Sequence, residues 1–99
     1  MAYKYKLYWS QESLENLEDI LFYLNSKWTL REVDNFKKLL SKQVEIILTF
    51  PEIFPKSVMQ PRLRKAVLSK QTIVFYEVNE DRITIVYLFV VKKNPNQIK

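Results

Sequence analysis

The chain has 99 residues, 47% hydrophobic and 14% aromatic, which suffices for one folded domain and is too short for two. It contains neither cysteine nor histidine, so disulfides, thiolate chemistry and the commonest transition-metal ligands are excluded, and no metal or cofactor is expected. The net charge of +5 is unevenly placed: residues 1–55 carry seven Lys/Arg and eight Asp/Glu, whereas residues 56–99 carry nine and three.

A basic half of this kind suits phosphates or an acidic partner, although charge runs are commonly only solvated surface. No apolar run approaches the roughly 20 residues that span a bilayer. Residues 1–6, Met-Ala-Tyr-Lys-Tyr-Lys, lack the apolar stretch of a signal peptide. A cytoplasmic protein without membrane contact is the expectation.

Tyr3, Tyr5, Leu7 and Trp9 alternate with Lys4, Lys6 and Tyr8, a period of two that predicts a strand over residues 3–9. Ser10 reads as the N-cap of a helix over residues 11–26, with Trp9 and Leu14 placed for a hydrophobic staple. Leu14, Leu17, Ile20, Leu21 and Leu24 form its apolar stripe. Glu12, Glu15, Glu18 and Asp19 decorate the other side, and read as a solvent face helped by the helix dipole rather than as a metal site. Thr29-Leu30-Arg31-Glu32 fits a capping box, and Trp28 with Val33 a second staple. Val33, Phe36, Leu40, Val44 and Ile47 carry the second helix to about Thr49, where Phe50-Pro51 ends it. The short link between the helices predicts an antiparallel hairpin.

Residues 50–61, with Pro51, Pro55 and Pro61, read as a surface loop. Three strands follow over residues 62–68, 72–78 and 82–91. The chain has no glycine, so a positive φ in the turns is expected at Asn79 or Asp81. The last strand is almost continuously apolar, as when both faces are covered or one serves a partner. The order β-α-α-β-β-β predicts an α+β domain over residues 1–99, with the helix hairpin packed on a twisted, mostly antiparallel sheet.

These landmarks resemble the RelE/ParE superfamily of toxins from type II toxin–antitoxin systems. The resemblance rests on Tyr8-Trp9-Ser10 before an acidic Leu-rich helix, and on Phe50-Pro51 closing the second. It rests also on Arg64 entering the second strand, Ile73-Val74-Phe75-Tyr76-Glu77-Val78, Ile83-Thr84-Ile85-Val86, and Lys92-Lys93-Asn94-Pro95 at the end. It implies growth inhibition neutralised by a cognate antitoxin. RelE-like members cut mRNA in the ribosomal A site without metal; ParE-like members are non-enzymatic inhibitors of DNA gyrase.

Metal-free ribonuclease chemistry needs a base, phosphate cations and an acid. Carried over by position from the RelE-like pattern, the candidates are Arg64 on the second strand and Lys93 after the last. Ala66 and Ile73 stand where further basic residues belong, and no tyrosine follows Tyr87. A ParE-like inhibitor needs no catalytic set, and the Lys-Lys-Asn-Pro ending favours that alternative. Target or nucleic-acid binding is therefore assigned to Arg62, Arg64, Lys65, Lys92 and Lys93. Each has a plainer explanation: Arg64 along the sheet edge or paired with Glu77, Arg62 and Lys65 as surface charges, Lys92 and Lys93 as a solvated tail. Tyr76, Tyr87, Trp9 and Trp28 read as packing groups. Three functions stay open: a gyrase-directed toxin, a ribosome-dependent mRNA endonuclease, and an inactive or non-toxic basic binding module.

Overall fold

The computed structural model describes residues 4–27 and 30–91. Its elements are β1 (Lys6–Trp9), α1 (Gln11–Lys27), α2 (Leu30–Thr49), β2 (Arg64–Val67), β3 (Thr72–Asn79) and β4 (Arg82–Val90). The strands form one sheet in the order β1-β4-β3-β2. β2 with β3 and β3 with β4 are antiparallel, while β1 runs parallel to β4. The predicted order of elements, the helix pair and the mostly antiparallel sheet are all present. Thr29 and Trp28, on which the second cap and staple rest, lie outside the described residues, as do Lys92 and Lys93.

β1 begins at Lys6, later than the alternation from residue 3 suggests, and the way α1 follows it explains why it stops at Trp9. β1 pairs with β4 only from Lys6 opposite Arg82 to Trp9 opposite Ile85. There the chain leaves the sheet, and α1 takes over the edge of β4. The Ser10 amide donates to Ile85 O at 3.0 Å, and the Ser10 hydroxyl donates to Val86 O. Farther on, Asn16 Oδ1 accepts from the Leu88 amide at 3.0 Å. An uncovered strand edge would leave these backbone groups to solvent or to another chain; here the Ser10 amide and the Ser10 and Asn16 side chains engage them.

Ser10 is also the predicted cap. Its hydroxyl oxygen accepts from the Ser13 amide at 3.0 Å, and Ser13 Oγ donates back to Ser10 O at 2.7 Å. Replacing Ser10 with alanine thus removes a cap and a tie to β4 together. Ser10→Ala is expected to cost about 1–2 kcal/mol in urea melts; a loss of a few tenths would contradict that double role. The partner expected for the staple is different. Trp9 packs against the core while Leu14 is exposed, and the inward face of α1 is set by buried Ser13 with Leu17, Ile20, Leu21 and Leu24. Helical phase accounts for this, because Ser13, Leu17, Ile20 and Leu24 recur every three or four residues.

From α2, Phe36, Leu40 and Ile47 meet Ala66, Val74, Tyr76, Ile83, Ile85 and Leu88 in one core. Alternation along the strands puts Lys65, Phe75 and Glu77 on the other face of the sheet. In β4 the pairing shifts between Phe75 and Tyr76, whose partners are Tyr87 and Ile85. This bulge at Val86 lets both Ile85 and Leu88 point into the core. On the opposite face, Phe75 and Tyr87 stack at 4.7 Å between centroids.

The one positive φ among described non-glycine residues is at Glu80, 58°, not at Asn79 or Asp81 as expected. Asn79 pairs with Arg82, which leaves a two-residue connection whose first position is left-handed, the pattern of a tight hairpin turn. Asn79 and Asp81 flank that position and need no unusual backbone. Glu80→Asn, a side chain more tolerant of this region, is expected to stabilise the fold by about 0.5–1 kcal/mol, seen as a melting temperature several degrees higher. An unchanged or lower value would contradict the strain.

Candidate target-binding surface

Sequence reasoning singles out five cations, three of which lie among the described residues. They are divided between the two faces of the sheet. Arg64 shares its face with Ala66 and Tyr76, opposite Tyr76 across β2 and β3. Its Nη1 donates to Phe54 O at 2.7 Å and lies 3.4 Å from Glu52 O. The guanidinium therefore holds the loop that links α2 to β2, rather than pairing with Glu77. Arg62 makes that ion pair instead, at 3.4 Å, with both side chains substantially exposed. Such a pair contributes little to stability, so Arg62 remains accessible to a larger partner. Lys65 is exposed on the helix-free face, directly across from Phe75.

Tyr76 is the most constrained polar group near these residues. Its ring is fully buried in the core, its hydroxyl donates to Pro51 O at 2.7 Å, and Phe54 meets it edge-on at 6.3 Å. Burial pushes its pKa up to about 12, although the Arg64 charge pulls the other way. A phenol so held is poorly matched to proton transfer at neutral pH, and its part is structural, in line with the packing assignment.

Where a RelE-like catalyst would carry further cations, Ala66 is wholly buried in the core and Ile73 stands across from Val67 and Phe89. Among the described residues no cluster of acidic side chains could hold a metal ion. No described helix is long and apolar enough to cross a membrane. What sequence reasoning misses is the loop itself. Its prolines are visible, but the long-range ties from Tyr76 and Arg64 that fix it are not, since neither residue type announces a backbone carbonyl partner 25 or 10 positions away.

The arrangement of two helices on a four-stranded mixed sheet, in the order β-α-α-β-β-β, is the toxin fold of the RelE/ParE superfamily. In fold the chain is similar to the chromosomal ParDE system of P. aeruginosa, with a TM-score of 0.76 at 14% identity over 92% of this chain and 100% of that one. It is also similar to YafQ of E. coli, with a TM-score of 0.52 at 11% identity over 87% and 92%. The E. coli DinJ–YafQ toxin–antitoxin complex likewise gives a TM-score of 0.52 at 11% identity, over 88% and 92%. No curated protein matches the chain significantly. The family model for the ParE toxin of the type II toxin–antitoxin system, parDE, matches residues 7–93. The chain belongs to that family, and its function is that of a toxin of a type II toxin–antitoxin system.

Proposed function

We propose that this toxin arrests growth by binding DNA gyrase as a protein–protein inhibitor, and that a cognate antitoxin, with which toxins of this class pair, releases gyrase by covering the toxin. The match to the ParE model across residues 7–93 carries this reading. Two features of the site support it. The positions that a ribonuclease of this fold would fill with cations hold buried Ala66 and apolar Ile73. The one described arginine on β2 is engaged by loop carbonyls. Removing preorganised charge stabilisation from such a catalyst costs roughly 10²–10³ in rate per group.

In this reading Arg62 and Lys65, with Lys92 and Lys93, form the basic contact surface for the target, and Arg64 acts by holding the loop. The protein needs no cofactor and performs no bond-making step. Controlled expression with and without the antitoxin tests this. Induction of the toxin alone is expected to cause growth arrest with a DNA-damage response and loss of negative supercoiling. Translation arrest with mRNA cut inside codons would point instead to ribosome-dependent endonuclease activity, with Arg62 and Lys65 as phosphate contacts. Absence of any growth phenotype would mark an inactive basic binding module.

A further inference from the structure

The loop between α2 and β2 turns some side chains inward and others fully outward. Pro51, Ser57 and Leu63 are buried, and Phe54 packs against the core. Phe50, Ile53, Val58 and Met59 face solvent, exposed by 59, 61, 93 and 88%. Single exposed apolar side chains are ordinary, but four large ones within ten residues are not a pattern that folding alone rewards. Between Phe50 and Ile53 the surface also has a shallow open depression bordered by Tyr5, Thr49, Pro51 and Glu52.

The same segment is fixed along its length. The Tyr76 hydroxyl holds Pro51 O, Arg64 holds Phe54 O, and the Lys65 amide donates to Pro55 O at 2.9 Å. Farther on, the Ser57 amide donates to Leu63 O, and the Leu63 amide to Gln60 O, both at 2.8 Å. Ordering a free backbone costs conformational entropy at every residue that is fixed. Here that ordering is complete before any partner arrives, which is how a binding loop gains affinity.

We infer that this loop is the toxin's contact for its protein target, inserting Val58 and Met59 into apolar sockets on an acidic surface, with Phe50 and Ile53 exposed earlier in the same loop. The acidic character follows from the exposed cations of this stretch of chain, Lys56 within the loop and Arg62 just beyond Met59. The choice of target over antitoxin follows from shape. An antitoxin segment that lies in a groove offers no sockets for projecting side chains, whereas a globular protein surface does. This contact rests on the proposal that the toxin acts by binding a protein, and it makes Arg64 and Tyr76 positioning residues rather than contacts.

The double variant Val58→Ser, Met59→Ser tests it, because both side chains are exposed and the fold does not use them. Three quantities are read: the melting temperature, affinity for the cognate antitoxin, and growth arrest together with binding to purified DNA gyrase. The expected result is an unchanged melting temperature and antitoxin affinity, with growth arrest lost and gyrase binding weakened roughly tenfold or more. A second variant, Lys56→Glu with Arg62→Glu, is expected to weaken gyrase binding and its salt dependence, without affecting antitoxin affinity. Full growth arrest in the serine variant overturns the inference. So does an equal loss of antitoxin binding, which would assign the loop to the antitoxin. If the unaltered toxin arrests growth yet does not bind gyrase, the proposed target falls, and growth arrest by the serine variant still decides for or against the loop.

Discussion

Tyr76→Phe is expected to destabilise the protein by about 1–3 kcal/mol, because it strips Pro51 O of its buried donor while leaving the ring packed. For a domain of this size that lowers the melting temperature by several degrees up to about 20 °C. The loss also has a pH signature. In the folded state the Tyr76 phenol titrates near 12 rather than near 10, because burial disfavours the phenolate. A group whose folded pKa is raised supports the fold fully below its unfolded pKa, so this contribution is intact up to about pH 10. It then declines as the pH rises through 12. The native protein is therefore expected to lose stability over pH 10–12 more steeply than Tyr76→Phe, and the two melting curves should approach each other there. Parallel curves would show that the hydroxyl is not held as described.

Removing the cations assigned to the target surface is expected to separate folding from toxicity. The variant carrying Arg62→Ala, Lys65→Ala, Lys92→Ala and Lys93→Ala should retain its melting temperature within about 1 kcal/mol of stability, since the one described ion pair it breaks is exposed. Its growth arrest should fall sharply, and its affinity for gyrase by roughly ten- to a hundredfold, mostly through slower association that no longer responds to salt. Arg64→Ala is expected to differ. Losing the guanidinium frees Phe54 O and Glu52 O, so stability and growth arrest should fall together, and Arg64→Lys should rescue only part of either. Unchanged stability in Arg64→Ala would return Arg64 to the contact surface.

Much of this is legible in the sequence, and the reasons are local. Period-two alternation at residues 3–9, the Ser10 cap, and helical spacing through Ile47 depend on neighbours a few positions apart, so the elements can be placed within a few residues. The strand around Arg64 reads too long, because Arg62 and Leu63 alternate plausibly. In the fold the Leu63 amide instead closes a turn onto Gln60 O. Spacing alone assigns Leu14 inward, yet buried Ser13 sets the helix phase, through bonds that no hydropathy pattern reveals. Glu80 escapes sequence reasoning because side-chain preference favours Asn79 and Asp81, while strand pairing decides which residue occupies the turn.

The site is harder to see. Charge asymmetry marks the basic half, but charge has no direction in a sequence. Only the pleat shows that Arg64 faces the loop while Lys65 faces away. The apolar tips of the loop carry no periodic signal at all, and residues 50–61 read simply as a proline-rich connection.

The most direct test of the account is a supercoiling assay with purified DNA gyrase and the isolated toxin. Inhibition that grows with toxin concentration and is reversed by the antitoxin is the predicted outcome. Gyrase that supercoils at its full rate at every toxin concentration, while ribosome-bound mRNA is cleaved in the presence of the same preparation, would contradict it.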